Sequence, residues 1–107
     1  MLNESDKEQL VRGMLFFAVL AQLDHKDAYP AQLLLKFEGT PFETQAGTLY
    51  PLMTRMQKQG LISSRWIMSE GSPPKRVYSI TSDGQVRLQG LREILGQMNK
   101  VLRGEIR

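Results

Sequence analysis

Gly47-Thr48-Leu49-Tyr50-Pro51-Leu52-Met53-Thr54-Arg55-Met56, followed shortly by Gly60-Leu61-Ile62, is the run whose reading decides the fold. Its spacing predicts a short amphipathic helix that stops at a glycine and runs directly into a strand. On a helical wheel Leu49, Leu52, Met53 and Met56 fall together and face a core. Thr44, Gly47, Thr48, Pro51, Thr54, Arg55 and Lys58 fall on the opposite side, with Gln45 at the helix entry. That outer face is small, polar or cationic, a mixture that suits a DNA major groove. Gly47 lets backbone approach phosphate, Thr44 and Thr48 offer hydroxyls, and Arg55 and Lys58 reach phosphates or guanine edges. Tyr50 lies on the flank, where its phenol either meets a phosphate or packs as half-buried core. Pro51 lacks an amide hydrogen, so regular helix is expected to begin near Gly47 or Thr48, after Thr44 as cap.

At 107 residues the chain is one small module. Its 41% hydrophobic and 23% charged residues are ordinary for a globular protein. With no cysteine there are no disulfides, thiolate metal sites or cysteine nucleophiles, which fits a reducing interior. The most apolar run, residues 14–23, is too short to span a bilayer, and the start lacks the marks of a secretory signal. A cytoplasmic address without membrane contact is expected. The single histidine, His25, sits between Asp24 and Lys26 in an expected loop. No phosphate-binding glycine loop, nucleophile-base pair or metal-ligand spacing occurs, so the reading is non-enzymatic, with no cofactor and no metal.

The net charge of +3 is unevenly spread. Residues 1–43 hold four Lys/Arg against seven Asp/Glu, and residues 83–107 hold five against three. Residues 44–82 hold five (Arg55, Lys58, Arg65, Lys75, Arg76) against Glu70 alone, a local +4. A polyanion draws its sequence-independent affinity from such cations, although a solvated cationic surface is an equal reading of the charge taken alone.

Four helical patterns and one hairpin organise the chain. Ser5 and Glu8 have the form of a capping box, so a first helix is expected from Ser5. Its apolar residues Leu10, Met14, Phe17, Ala18 and Ala21 keep helical spacing, widened by Leu15, Val19, Leu20 and Leu23 into a stripe with room for contacts on two sides. Pro30 suits the first turn of a second helix that ends near Glu38-Gly39, and Pro41 blocks its continuation. Two short helices joined by a tight connection give a helix-turn-helix outline. Leu61–Met68 and Lys75–Ile80 alternate as strands around Ser69-Glu70-Gly71-Ser72-Pro73-Pro74, a hairpin with a stiff polar tip. Lys75 and Arg76 follow the tip, where their charges reach a neighbouring groove or backbone. Thr81 or Ser82 caps a last helix on which Leu88, Leu91, Leu95, Met98 and Leu102 recur at spacings of three and four. Ile94 and Val101 thicken this stripe, and Gly90 and Gly96 let another helix come close. Fifteen residues of apolar seam beyond so small a core call for a partner copy.

With these residues in place the chain resembles PadR-type transcriptional regulators of the compact subgroup. The matching residues are Gly47 to Leu52, Arg55-Met56, Gly60-Leu61-Ile62, Trp66, Gly71 to Pro74, Lys75, Arg76, Tyr78 and Thr81 to Gly84, within residues 10–103. The resemblance implies a mainly α fold with a β-hairpin: a winged helix-turn-helix DNA-binding domain over residues 5–82 and a C-terminal dimerisation helix over residues 83–107. It implies a homodimer whose last helix packs on the partner's N-terminal helix, using Met14 and Phe17 with Leu88, Leu91, Leu95, Met98 and Leu102. It further implies binding to double-stranded DNA at a pseudo-palindromic operator, usually as a repressor released by a small-molecule effector or other signal. Two recognition helices related by a two-fold axis enter successive major grooves about 34 Å apart. Where many relatives carry Gly-Tyr before the second helix this chain has Ala28-Tyr29-Pro30. Residues 84–107 contain no aromatic, so stacking of a flat ligand by the last helix is not expected. Trp66 is expected to pack at the wing base. The alternative reading is a winged-helix protein-interaction module without DNA binding, which has no need of the +4 segment.

Overall fold

The computed structural model describes residues 3–105. Its elements are α1 (Glu4–Val11), α2 (Leu15–His25), α3 (Pro30–Phe37), α4 (Ala46–Lys58), β1 (Ile62–Ser69), β2 (Ser72–Ile80) and α5 (Ser82–Leu102). Residues 106 and 107 of the expected dimerisation helix lie outside the described residues.

The first expected helix is two helices. Arg12 (φ −59°, ψ 129°) and Gly13 (φ 80°) form a type II turn in which the Met14 amide donates to the Val11 carbonyl at 2.9 Å. The third residue of such a turn needs positive φ, which glycine supplies without steric cost. The cap also lies two residues earlier than expected: Asn3 Oδ1 accepts from the Asp6 amide at 2.8 Å, so the Ser5-Glu8 box does not open the helix. α1 buries none of its residues, whereas α2 sinks Val19, Leu20 and Leu23 into the core. His25, expected in a loop, is the exposed last residue of α2.

α3 starts at Pro30, where the missing amide hydrogen costs nothing, and Gln32 Oε1 accepts from the Tyr29 amide at 3.0 Å. The same type II geometry ends it: Glu38 (φ −59°, ψ 131°) and Gly39 (φ 75°) bring the Thr40 amide to the Phe37 carbonyl at 3.0 Å. α4 opens at Gln45 rather than at Thr44, and no side chain caps it. Pro51 lies inside this helix, where it denies the Gly47 carbonyl its usual donor. At the far end the Leu61 amide bonds Met56 O (3.1 Å) and the Gly60 amide bonds Gln57 O (3.0 Å), with Gly60 at φ 76°. This is a Schellman motif, and its usual hydrophobic contact is supplied by the buried Met56 and Leu61.

β1 and β2 pair antiparallel from Ile62↔Ile80 to Ser69↔Ser72, with a bulge between Ile67 and Ser69. The expected six-residue tip is shorter, since Ser72-Pro73-Pro74 already belong to β2 and only Glu70-Gly71 turn. A bridge between Ala28 and Tyr78 lays the α2–α3 connection along the other side of β2. The core gathers Val19, Leu20 and Leu23, Leu33 and Phe37, Leu49, Met53 and Met56, then Leu61, Ile62, Tyr78 and Leu88. Three helices around one core with a hairpin leaving the end of α4 make a winged helix-turn-helix. Beyond Leu91 every described residue of α5 is exposed, and the molecule is drawn out to 59 × 31 × 20 Å.

Thr81 caps α5 by accepting from the Gly84 amide at 3.1 Å, and its hydroxyl donates to Gly60 O at 2.7 Å. A Cβ on the buried Gly84 would stand 2.2 Å from the Leu61 carbonyl oxygen and 2.7 Å from an Ile80 side-chain carbon. Backbone cannot yield that much space cheaply. Gly84→Ala is therefore expected to lower the unfolding free energy by about 1–3 kcal/mol in urea titrations. Gly47→Ala, where an added Cβ meets open space, is expected to change it by less than about 1 kcal/mol.

Candidate nucleic-acid interface

On α4 the residues Gly47, Thr48, Pro51, Thr54, Arg55 and Lys58 are all exposed, because the helix turns Leu49, Met53 and Met56 inward. Gln45 is exposed at its entry, whereas Thr44 precedes the helix and is half-buried. Tyr50, for which two readings were open, stands 42% exposed on the same helix. The Thr54 hydroxyl donates to the Tyr50 carbonyl at 3.1 Å, so its proton is spoken for and its oxygen is left as an acceptor. Neither Arg55 nor Lys58 has a carboxylate partner among the described residues.

The hairpin divides its cations by strand parity. Paired residues of an antiparallel ladder share a face, and neighbours along a strand alternate. Lys75 and Arg76, expected to act together, therefore point to opposite faces. Lys75 pairs with Ile67, and its ammonium lies 4.9 Å from the centre of the Tyr29 ring at the start of α3. On that same face Arg65 forms an ion pair with Asp27 (3.1 Å) and donates to Ser79 Oγ (2.9 Å), which occupies its charge within the protomer.

Arg76 takes the other face, towards α4. Together with Thr54, Gln57 and Lys58 it lines a cleft of about 270 Å³ between helix and hairpin. Its Nε donates to Ser64 Oγ at 2.9 Å, and the Ser64 hydroxyl donates onward to Gln57 Oε1 at 2.9 Å. The guanidinium carbon lies 5.7 Å from the Trp66 ring centre and 5.6 Å from that of Tyr78, within cation-π range. Trp66 consequently does not pack at the wing base: it is 61% exposed, halfway along β1, with Arg76 against its ring. Ser64 and Gln57 were not singled out from sequence. The available signal was parity, which sets Ser64 between Ile62 and Trp66 on the face turned to α4.

The apolar seam of α5 separates into two parts. Leu88 is buried in the protomer's own core, so it drops out of the surface expected to meet a partner. Leu91 is half-buried with Met14 and Phe17 around a groove between α2 and α5, and Leu95 forms its rim. Ile94, Met98, Val101 and Leu102 stand 50% exposed or more. Among the described residues no helix is long and apolar enough to cross a membrane, and no group of three or more His, Cys, Asp or Glu could hold a metal ion.

Known proteins place this geometry in a family. No protein of curated function is similar to the chain in sequence. A PadR-like transcription factor from Bacteroides fragilis superposes with a TM-score of 0.80 at 28% identity, over 96% of this chain and 100% of that one. A PadR family transcriptional regulator from Eggerthella lenta gives 0.76 at 36% identity, over 94% and 85%. A PadR-like transcriptional regulator from Bacillus cereus gives 0.74 at 26% identity, over 90% and 94%. Residues 19–90, which run from the middle of α2 into α5, match the transcriptional regulator PadR-like family, and the chain belongs to that family.

Proposed function

We propose that the protein is a homodimeric, sequence-specific DNA-binding transcriptional regulator that acts as a repressor on a pseudo-palindromic operator. The observation that carries this reading is the outer face of α4. Thr48, Pro51, Arg55 and Lys58 are exposed along it without a carboxylate among them, and the face continues into the cleft that holds Arg76. Small and polar residues let the helix enter a major groove, while the cations at its C-terminal end meet phosphates or guanine edges. Family membership supports the regulatory role.

Uncovered surface supports the two-fold arrangement. Five large apolar residues on the outer half of α5, from Ile94 to Leu102, lie at least 36% exposed. Covering such a seam with the α2 groove of a second copy buries both at once, and a two-fold pair that enters successive major grooves needs its α4 helices about 34 Å apart, one turn of the duplex. A ligand or other signal that changes this packing alters that separation. Both helices then no longer insert together, and the operator is released. The absence of any aromatic in residues 84–107 argues against a stacked planar effector on this helix.

Arg55→Ala is expected to weaken binding to any duplex and to flatten the dependence of log affinity on log salt by about 0.9, the share of one phosphate, without changing the unfolding midpoint. Salt-insensitive handling of duplex DNA by the unaltered chain would instead indicate a protein-interaction module. Leu95→Asp places a charge in the seam and is expected to yield monomers in sedimentation experiments while the helical content of the body is retained; a dimer of unchanged stability would contradict the seam's role.

A further inference from the structure

From the cleft between α4 and the hairpin we infer a pre-set seat for one DNA backbone phosphate, in which Arg76 and Lys58 supply the charge and Ser64 and Gln57 are positioning residues. This rests on the DNA-binding reading and deepens it. An exposed arginine ordinarily samples many rotamers, and ordering it on binding offsets part of what its contacts contribute. Arg76 is ordered beforehand. Its Nε is committed to Ser64, and its plane is confined by Trp66 and Tyr78 at under 6 Å. Both terminal nitrogens remain without an acceptor among the described residues, a planar fork of the kind that takes an oxyanion through two parallel hydrogen bonds.

The polarity of the relay is fixed by its chemistry. Gln57 Oε1 can only accept, so the Ser64 hydroxyl must donate to it and turn a lone pair to Arg76 Nε. Gln57 belongs to α4 and Ser64 to β1, so one chain of hydrogen bonds ties the helix that enters the groove to the hairpin beside it. Lys58 lines the same cleft from one residue further along α4 and adds a second cation. Two cations lining one cleft match the net charge of a phosphate better than the uncharged edge of a base. The seat also accounts for Trp66, an exposed tryptophan with no core to join, as the platform on which the guanidinium rests.

The test measures affinity and salt slope for two duplexes of unrelated sequence. Ser64→Ala is expected to weaken binding to both about three- to ten-fold and to reduce the salt slope by up to about 0.9, with an unchanged urea midpoint. Ser64→Thr, which keeps the hydroxyl, restores both. Gln57→Leu, made from the α4 side, gives the same losses as Ser64→Ala. In an Arg76→Ala background Ser64→Ala adds nothing further, because the residue it positions is gone. The seat is overturned if Ser64→Ala binds like the unaltered chain, if its cost is undiminished without Arg76, or if the loss appears on one duplex only, which indicates base reading. If the unaltered chain binds neither duplex, the DNA-binding reading fails first and the seat falls with it.

Discussion

The backbone at Gly60-Leu61 and the cap at Thr81 hold three elements to one point. Gly60, in the left-handed conformation, ends α4 and turns the chain into β1. The Leu61 carbonyl then accepts the Thr81 amide at 3.1 Å, closing the hairpin at its base, while the Thr81 hydroxyl bonds Gly60 O and receives the Gly84 amide. Gly84 lies so close to the Leu61 carbonyl that no other residue fits without movement. The angle at which the hairpin leaves α4 and the direction in which α5 departs are therefore set by the same few hydrogen bonds. The cleft beside α4 inherits that geometry.

From this junction outward, polar order is arranged at one level of the hairpin and absent at another. Near the base, Ser64, Gln57 and Arg76 form a continuous relay, and Arg65, Asp27 and Ser79 form another on the opposite face. Further out Ile67 and Met68 are exposed. Cations thus occupy both faces of the wing, but they differ in availability. Arg65 is neutralised by Asp27, Lys75 rests on Tyr29, and Arg76 alone of the three faces α4 with its fork open. The basic middle third of the chain is accordingly narrower in function than its net +4 suggests.

Much of this was legible in the sequence where a single residue carries the physics. Gly60 after an amphipathic run announced the end of α4, Pro30 the start of α3, and the Thr81-Ser82 pair, of which Thr81 is the cap, the start of α5. The break at Gly13 was hidden because apolar spacing runs unbroken from Leu10 through Met14 to Phe17, and periodicity carries no information about a backbone torsion. Lys75 and Arg76 read as a pair because they are adjacent, although a period of two separates them in any strand. Trp66 shares parity with the buried Ile62 but lies beyond the reach of the core, a distance that only the packed structure supplies. The Gln57-Ser64-Arg76 relay depends on hairpin register together with the placement of α4, which no local pattern contains.

On the proposed reading two copies present their α4 outer faces to adjacent major grooves. Dimethyl sulfate probing of guanine N7 reports major-groove occupancy directly, and DNA from upstream of the protein's own gene is a suitable target. That arrangement predicts two clusters of protected guanines on one side of the duplex, centred about one helical turn apart. A single cluster, or retention of the DNA with every guanine N7 left reactive, would contradict it.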